Sequence, residues 1–100
     1  MRLRVLPSAI GDLLEISRYY EKKEQGLGRY IFDQINSDIE SLLITSGVHR
    51  KVHGFHRLLC RRFPFAVYYT IDDQVIVVWR ILDARPDPQR SAHTLRGLIP

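Results

Sequence analysis

The chain has 100 residues, of which 45% are hydrophobic and 26% are charged, and this composition excludes a disordered protein and predicts one domain over residues 1–100. The single cysteine, Cys60, excludes an internal disulfide, so we expect a cytoplasmic protein in which Cys60 is a buried or half-buried structural residue. The longest apolar stretch, from Val75 to Trp79, is too short to span a bilayer, and the N-terminus lacks the apolar core of a signal peptide, so we expect no membrane association.

The net charge of +4 is unevenly distributed along the chain. Residues 1–47 contain six Lys and Arg against seven Asp and Glu, whereas residues 48–100 contain nine against four, together with all four histidines. A basic second half favours an acidic partner, such as nucleic acid, an acidic peptide or an acidic protein surface. A solvated basic face without a partner is the alternative interpretation.

The first half of the chain predicts one strand followed by two helices. Charged and apolar residues alternate over residues 2–6, which is typical of a short strand, and Ser8 is a suitable N-cap for the helix that follows. Apolar residues at helical spacing predict helices over residues 8–24 and from the glycine turn at 25–28 to Thr45, with Gly47 as the C-cap glycine. These apolar residues are Ile10, Leu13, Ile16 and Tyr20 in the first helix and Phe32, Ile35, Ile39 and Leu42 in the second.

The second half of the chain predicts three strands. They cover residues 55–62, 65–71 and 75–82. Pro64 separates the first two, and Asp72-Asp73 forms the turn before the last. The prolines after Asp83 end regular structure, and the tail from Gln89 is either a short helix or irregular. The order β-α-α-β-β-β predicts an α+β, two-layer fold in which a helical hairpin packs on a small, mostly antiparallel sheet.

Alternation within the strands predicts which side chains face the helices. We expect one set from each of the last two strands to do so. The sets are Phe65, Val67, Tyr69 and Ile71 on one strand, and Val75, Val77, Trp79 and Ile81 on the other. Arg80 is then expected on the opposite face of the sheet. Arg57 and Arg61 are expected to share one face of their strand, while His56 and Arg62 point the other way.

Histidines and arginines are the residues of this chain that could act on a phosphate. Metal-free RNA cleavage needs an acid, a base and cations beside the scissile phosphate, and imidazole and guanidinium groups supply them. The candidates are His53, His56, His93, Arg57, Arg61, Arg62 and Arg85. No two histidines have the spacing of metal ligands on a helix, and Cys60 stands alone, so we expect neither a metal nor a cofactor.

Three motifs in the second half are similar to those of a known family. They are the Arg-Phe-Pro-Phe entry at 62–65, the aromatic pair Tyr68-Tyr69 and the Arg-x-Asp-Pro exit from Arg85 to Pro88. Together with the order and size of the elements, they resemble the ParE/RelE toxin superfamily over nearly the whole chain. The resemblance implies the toxin of a type II toxin–antitoxin module, neutralised by a cognate antitoxin protein.

The resemblance also separates two branches, the RelE mRNA endonucleases that act on the ribosome and the ParE proteins thought to act on DNA gyrase. It implies that a nuclease has lysines on the second strand, an arginine in the third, an arginine after the fourth and a C-terminal tyrosine. The corresponding positions here hold Arg57 and Leu59, Ala66, Arg85 and Ser91. This pattern favours the ParE branch, whose members bind a protein target and are not enzymes. The alternatives are a RelE-like nuclease that uses Arg57, Arg85, His56 and His93, and a degenerate member that keeps its antitoxin but has lost toxicity.

Five arginines are the candidates for binding the target or the antitoxin. They are Arg57, Arg61, Arg62, Arg80 and Arg85. A basic open sheet face, a sheet edge or an apolar groove could accept the acidic and apolar segment of an antitoxin.

Overall fold

A mostly antiparallel sheet carries the fold. The computed structural model describes residues 1–85 and 88–98. The elements are β1 (Arg2–Val5), α1 (Pro7–Lys23), α2 (Leu27–Glu40), α3 (Leu42–Thr45), β2 (Lys51–Val52), β3 (Phe55–Leu59), β4 (Phe65–Asp72), β5 (Val75–Asp83) and α4 (Pro88–Leu95). The strand order is β1-β5-β4-β3-β2, in which β1 is parallel to β5 and the other neighbours are antiparallel. The predicted α+β fold is therefore confirmed.

The first two turns of α1 close the open edge of β5. β1 pairs with β5 only as far as Val78, so the edge of β5 has no neighbouring strand from Trp79 onward. Ser8 Oγ donates a hydrogen bond to the carbonyl of Trp79 at 2.6 Å, and Asp12 Oδ2 accepts one from the amide of Ile81 at 2.9 Å. Side chains of α1 thus satisfy backbone groups that a longer first strand would otherwise bind.

The prediction of Ser8 as the N-cap of α1 is wrong. The helix begins one residue earlier, at Pro7, and Leu6 is the N-cap. Proline has no amide to leave unsatisfied and its φ already suits a helix, so it can occupy the first helical position. The Ser8 hydroxyl is then available to the strand rather than to the helix.

The second predicted helix is divided in two. α2 ends at Glu40, and the short α3 resumes after Ser41. Ser41 Oγ donates to the carbonyl of Asp38 at 2.5 Å, and Thr45 Oγ1 donates to the carbonyl of Ser41 at 3.1 Å. Side-chain hydrogen bonds of this kind to the preceding turn bend helices. Gly47 follows α3 with a φ of 90°, so the predicted glycine does end the helical segment.

The turn between α1 and α2 is held by Glu21. Its carboxylate accepts hydrogen bonds from the amides of Gly26 and Gly28, both at 2.9 Å, and places a negative charge at the N-terminus of α2. Ser17 Oγ donates to the carbonyl of Gly28 at 2.9 Å. A Cβ on Gly28 would collide with the carbonyl of Ser17 and the side chain of Glu21, so glycine here sets how closely the two helices approach.

The segment after α3 contains a hairpin that the sequence analysis did not predict. His53 and Gly54 join β2 to β3, and their positive φ values of 54° and 86° suit the type I′ turn that connects such strands. At its other end β3 stops at Leu59 instead of residue 62. The carboxylate of Asp38 accepts a hydrogen bond from the amide of Arg61 at 3.3 Å, and the chain leaves the sheet at that point.

β4 faces the helices as predicted, whereas β5 does so only in part. The four predicted residues of β4 all pack in the core beneath the helices. On β5 the residues that do so are Ile76, Val78 and Ile81, so the prediction is right for Ile81 and wrong for Val75, Val77 and Trp79. The reason lies in the register, because Tyr68 pairs with Arg80 while Tyr69 pairs with Val78. Trp79 is therefore an extra residue, and this β-bulge reverses the alternation along β5.

Two apolar clusters lie on opposite faces of the sheet. The larger one packs α1, α2 and α3 against the sheet, and its largest fully buried members are Tyr69, Ile31, Ile35, Ile39, Leu42 and Ile76. The smaller one lies between the sheet and α4 and consists of Phe55, Ala66, Tyr68 and Leu95, with Trp79, Leu82, Ala84 and Leu98 around them. Burial of Leu95 in this cluster explains why the tail forms a helix, since a short helix needs tertiary packing to be stable.

Candidate partner-binding site

A cleft opens between α1, the end of β5 and α4. Its volume is about 480 Å³. Its apolar and aromatic lining comes from Ile16, Tyr19, Tyr20 and Phe65, and its charged lining includes Asp12, Glu15, Arg80 and Arg85. An apolar groove with charged groups at its margin is the kind of surface that binds a helical or extended peptide.

Arg80 lies opposite Tyr68, on the sheet face away from the helical hairpin as predicted, but its side chain does not stand on an open face. Its Nε and Nη2 donate to the two carboxylate oxygens of Asp12, at 2.7 and 2.9 Å. The side chains are only 26% and 12% exposed. The hydrogen bonds from Arg80 to Asp12 raise the pKa of Arg80 further above its usual range. The bidentate pair joins α1 to β5, so Arg80 is held by the fold at the wall of the cleft.

Arg57 and Arg61 do not share one face of a strand, contrary to the prediction, because β3 ends at Leu59. Arg57 Nε donates to the hydroxyl of Tyr68 at 3.1 Å, on the face that α4 covers. Arg61 lies beyond the end of β3, and its Nε donates to Asp38 Oδ1 of α2 at 3.0 Å. The Arg61 side chain is nevertheless 75% exposed, so part of it remains available to a partner.

Arg62 and Arg85 are both exposed and flank the strands at their entry and exit. Arg85 donates to both carboxylate oxygens of Asp83, at 3.1 and 2.8 Å, and the hydrogen bonds to Asp83 raise the pKa of Arg85. Arg62 makes no hydrogen bond or ion pair with any other residue within 1–85 and 88–98. Both cations are accessible to an acidic partner.

His56 is engaged in the fold rather than poised for catalysis. Its ring stacks on Tyr69 with 5.0 Å between the centroids, and its Nδ1 lies 2.8 Å from the carbonyl of His49, to which it donates. The hydroxyl of Tyr69 accepts a hydrogen bond from the amide of Gly47 and lies 2.6 Å from Nδ1 of His49. Burial, with a smaller effect of the neighbouring His56, lowers the pKa of His49 and favours its neutral form.

The structure also locates the remaining positions that bear on the nuclease alternative. His53 occupies the β2–β3 turn, and His93 is exposed on α4. Ala66, where a nuclease has an arginine, is completely buried, and Ser91, near the position of the tyrosine, lines the cleft. Cys60 is half-buried, as expected, and burial, helped by Asp38, raises its pKa to about 12, so it is a poor nucleophile.

Two carboxylates that the sequence did not single out, Asp38 and Asp12, hold Arg61 and Arg80 in place. Asp38 is only 4% exposed, although it is charged. It falls on the stripe of Ile31, Ile35 and Leu42 at spacings of four, three and four residues, where an apolar side chain is expected. A charged residue at a core position needs a buried partner, so the spacing of Asp38 in the sequence could have predicted an ion pair at this position. The same holds for Asp12, one turn after the buried Ala9.

A helical hairpin covers one face of this sheet, which is the fold that the resemblance to the ParE/RelE toxin superfamily implied. The family model of the ParE toxin of the type II toxin–antitoxin system parDE matches residues 3–88, and the chain therefore belongs to the ParE toxin family. A search of curated proteins finds no match. Among solved structures, a chain of the "Chromosomal ParDE TA system from P. aeruginosa" is similar, with 23% sequence identity and a TM-score of 0.75. The match covers 85% of this chain and 97% of that chain, and at this identity it shows the fold alone.

No helix within the described residues is both long enough and apolar enough to cross a membrane.

Proposed function

We propose that this type II toxin is neutralised by a small antitoxin and arrests growth in the cytoplasm by binding DNA gyrase rather than by cutting mRNA. Membership of the ParE family supports gyrase as the target. The basic second half of the chain supports an acidic partner, since charge complementarity steers association.

The observation that carries the proposal is that three groups of the nuclease alternative, Arg57, His56 and Arg85, are dispersed over the sheet. Arg85 is bound to Asp83 on β5, and the register places Arg57 of β3 opposite Arg80, two strands away from β5 and three residues before Asp83. The Cα atoms of Arg57 and Asp83 are therefore roughly 14 Å apart. His56 and Arg57 are neighbours on β3 and therefore point to opposite faces. General acid–base catalysis requires its groups within hydrogen-bonding reach of one substrate, and this arrangement favours binding instead.

The cleft between α1 and α4 supports the second part of the proposal, recognition of an antitoxin. Its aromatic wall would take the apolar side chains of an antitoxin segment, and the exposed Arg85 at its margin would pair with an acidic one. Aromatic residues and arginine are the side chains that contribute most to binding at protein interfaces.

Inducible expression in a bacterial host tests the target. We expect growth arrest with induction of a DNA-damage reporter, intact translated mRNA by primer extension, and inhibition of purified gyrase in a supercoiling assay. Arg85→Ala should weaken these effects. Arg29→Ala is the matched control, because Arg29 is an exposed arginine on α2 whose pair with Asp33 is at the surface.

Two other outcomes would contradict the proposal. Site-specific cuts in translated mRNA that disappear in Arg85→Ala would establish the RelE-like nuclease. A protein that leaves growth unaffected but copurifies with the product of the adjacent reading frame would be the degenerate member.

A further inference from the structure

The outer edge of β1 is an open strand edge. In a parallel pair, alternate residues direct their peptide groups to the neighbouring strand. The amides of Arg2 and Leu6 donate to β5, at 3.1 and 3.0 Å, and the register places Arg4 in the same phase. Leu3 and Val5 therefore direct their amides and carbonyls outward, where none of the described residues pairs with them.

The two faces of this edge differ in character. Arg2 and Arg4 are exposed on the face of β1 away from the helices, whereas Leu3 and Val5 turn into the core beneath the helices. On the face of Leu3 and Val5, α3 packs beside β1, and Ser46 Oγ lies 3.2 Å from the sulfur of Met1. This side carries large apolar residues in the open. They are Met1, Leu43, Ile44 and Val48, with exposed fractions of 56%, 49%, 90% and 77%.

A second copy of the chain is a poor occupant of this edge. Antiparallel pairing through the outward groups of Leu3 and Val5 places even-numbered residues opposite even-numbered ones. If Leu3 opposes Val5 of the second copy, Arg4 opposes Arg4, and if Leu3 opposes Leu3, Arg4 opposes Arg2. Like charges directly opposite one another destabilise a strand pair, so the arginines guard the edge against self-association.

The same charges favour a strand of opposite character. We propose that the outer edge of β1 binds an extended segment of the antitoxin in which acidic residues alternate with apolar ones. Its carboxylates would oppose Arg2 and Arg4, its backbone would pair with Leu3 and Val5, and its apolar side chains would lie on the side of α3. This proposal rests on the proposed neutralisation by an antitoxin, and it adds to the cleft between α1 and α4 a second contact, in which another segment of the antitoxin is an extended strand.

Amide hydrogen exchange, measured by NMR on the toxin alone and in complex with the protein encoded by the adjacent reading frame, tests the edge. The amides of Leu3 and Val5 should exchange freely in the toxin and become at least about tenfold slower in the complex, because they then donate hydrogen bonds. The amide of Leu59 is the internal control. The amide of Cys60 donates to Phe65 of β4, and the amide of Arg57 donates to Arg50 on the other side of β3. Because amides alternate along a strand, the amide of Leu59 points away from β4, at the opposite edge of the sheet from β1.

Charge reversal on β1 tests whether the segment that binds this edge is acidic. The double variant Arg2→Glu/Arg4→Glu should weaken binding of that protein about tenfold or more, because two opposite-charge pairs become like-charge pairs. Arg50→Glu/Lys51→Glu makes the same change in charge at β2, the opposite edge of the sheet, where both residues are exposed, and should leave affinity within about twofold. Thermal unfolding of each free variant must remain cooperative, so that a loss of binding is not a loss of fold.

The outcomes separate this proposal from the proposed function. A complex that forms without protecting Leu3 and Val5, or that protects Leu59 instead, overturns the edge and leaves neutralisation intact. Protection that appears in the toxin alone and grows with its concentration means that a second copy occupies the edge. If the two proteins form no complex, both proposals fail.

Discussion

The ion pair between Asp12 and Arg80 should be worth several times as much as a surface pair. Asp12→Ala removes the acceptor of two guanidinium hydrogen bonds and of the Ile81 amide, all between 2.7 and 2.9 Å. Removing one partner of a buried pair costs about 3–5 kcal/mol, and because Arg80 retains 26% exposure we expect the lower end of that range. For a chain of this length the melting temperature should then fall by roughly 15 °C.

Urea unfolding measures this cost, with far-UV circular dichroism and the fluorescence of the single tryptophan, Trp79, as probes. Asp33→Ala is the matched control, because the Arg29–Asp33 pair lies on the surface, with 82% and 54% exposure, and should cost only about 0.5 kcal/mol. A cost for Asp12→Ala no larger than that of the control would show that the Asp12–Arg80 pair is worth no more than a surface pair. A cycle with Arg80→Met should give a coupling energy of at least about 1 kcal/mol.

Three further predictions concern single residues elsewhere. Gly28→Ala should destabilise the protein by about 2 kcal/mol in urea unfolding, despite the better helix propensity of alanine, because its Cβ meets the carbonyl of Ser17; an unchanged midpoint would contradict the close helix approach. Burial lowers the pKa of His49 in the folded state, so stability should be full above about pH 6.5 and decrease as the pH falls below it, and His49→Asn should flatten that dependence; an unaltered slope would assign it to other groups. With its pKa raised to about 12, Cys60 should react with iodoacetamide at neutral pH at least about a hundredfold more slowly in the native protein than in urea; equal rates would show that the thiol is accessible and ionisable.

The long periodic elements were predictable from the sequence almost to the residue. α1 was expected at 8–24 and spans Pro7–Lys23, and β5 was expected at 75–82 and spans Val75–Asp83. Prolines and a polar turn delimit these segments, and their apolar residues repeat over enough length to identify the period. The αα-hairpin and the mostly antiparallel sheet follow from the order of such segments.

What the sequence did not reveal depends on single residues and on distant partners. The bulge at Trp79 adds one residue to a strand without changing its composition, and the kink at Ser41 leaves the apolar repeat in phase. The five candidate arginines look alike in the sequence. Two of them, Arg80 and Arg61, are held by Asp12 and Asp38, which lie 68 and 23 residues away in the sequence, and only the folded chain brings these groups together.

The bulge at Trp79 divides β5 into two halves that should respond to substitution in opposite phase. Before it, even-numbered positions such as Ile76 and Val78 face the core beneath the helices, and after it odd-numbered Ile81 does so. A polar residue at an even position would thus be excluded in the first half and tolerated more readily in the second. Homologous sequences aligned without regard to the bulge should show an alternation that skips one residue, and a deletion there would exchange the two faces of the strand from that point on.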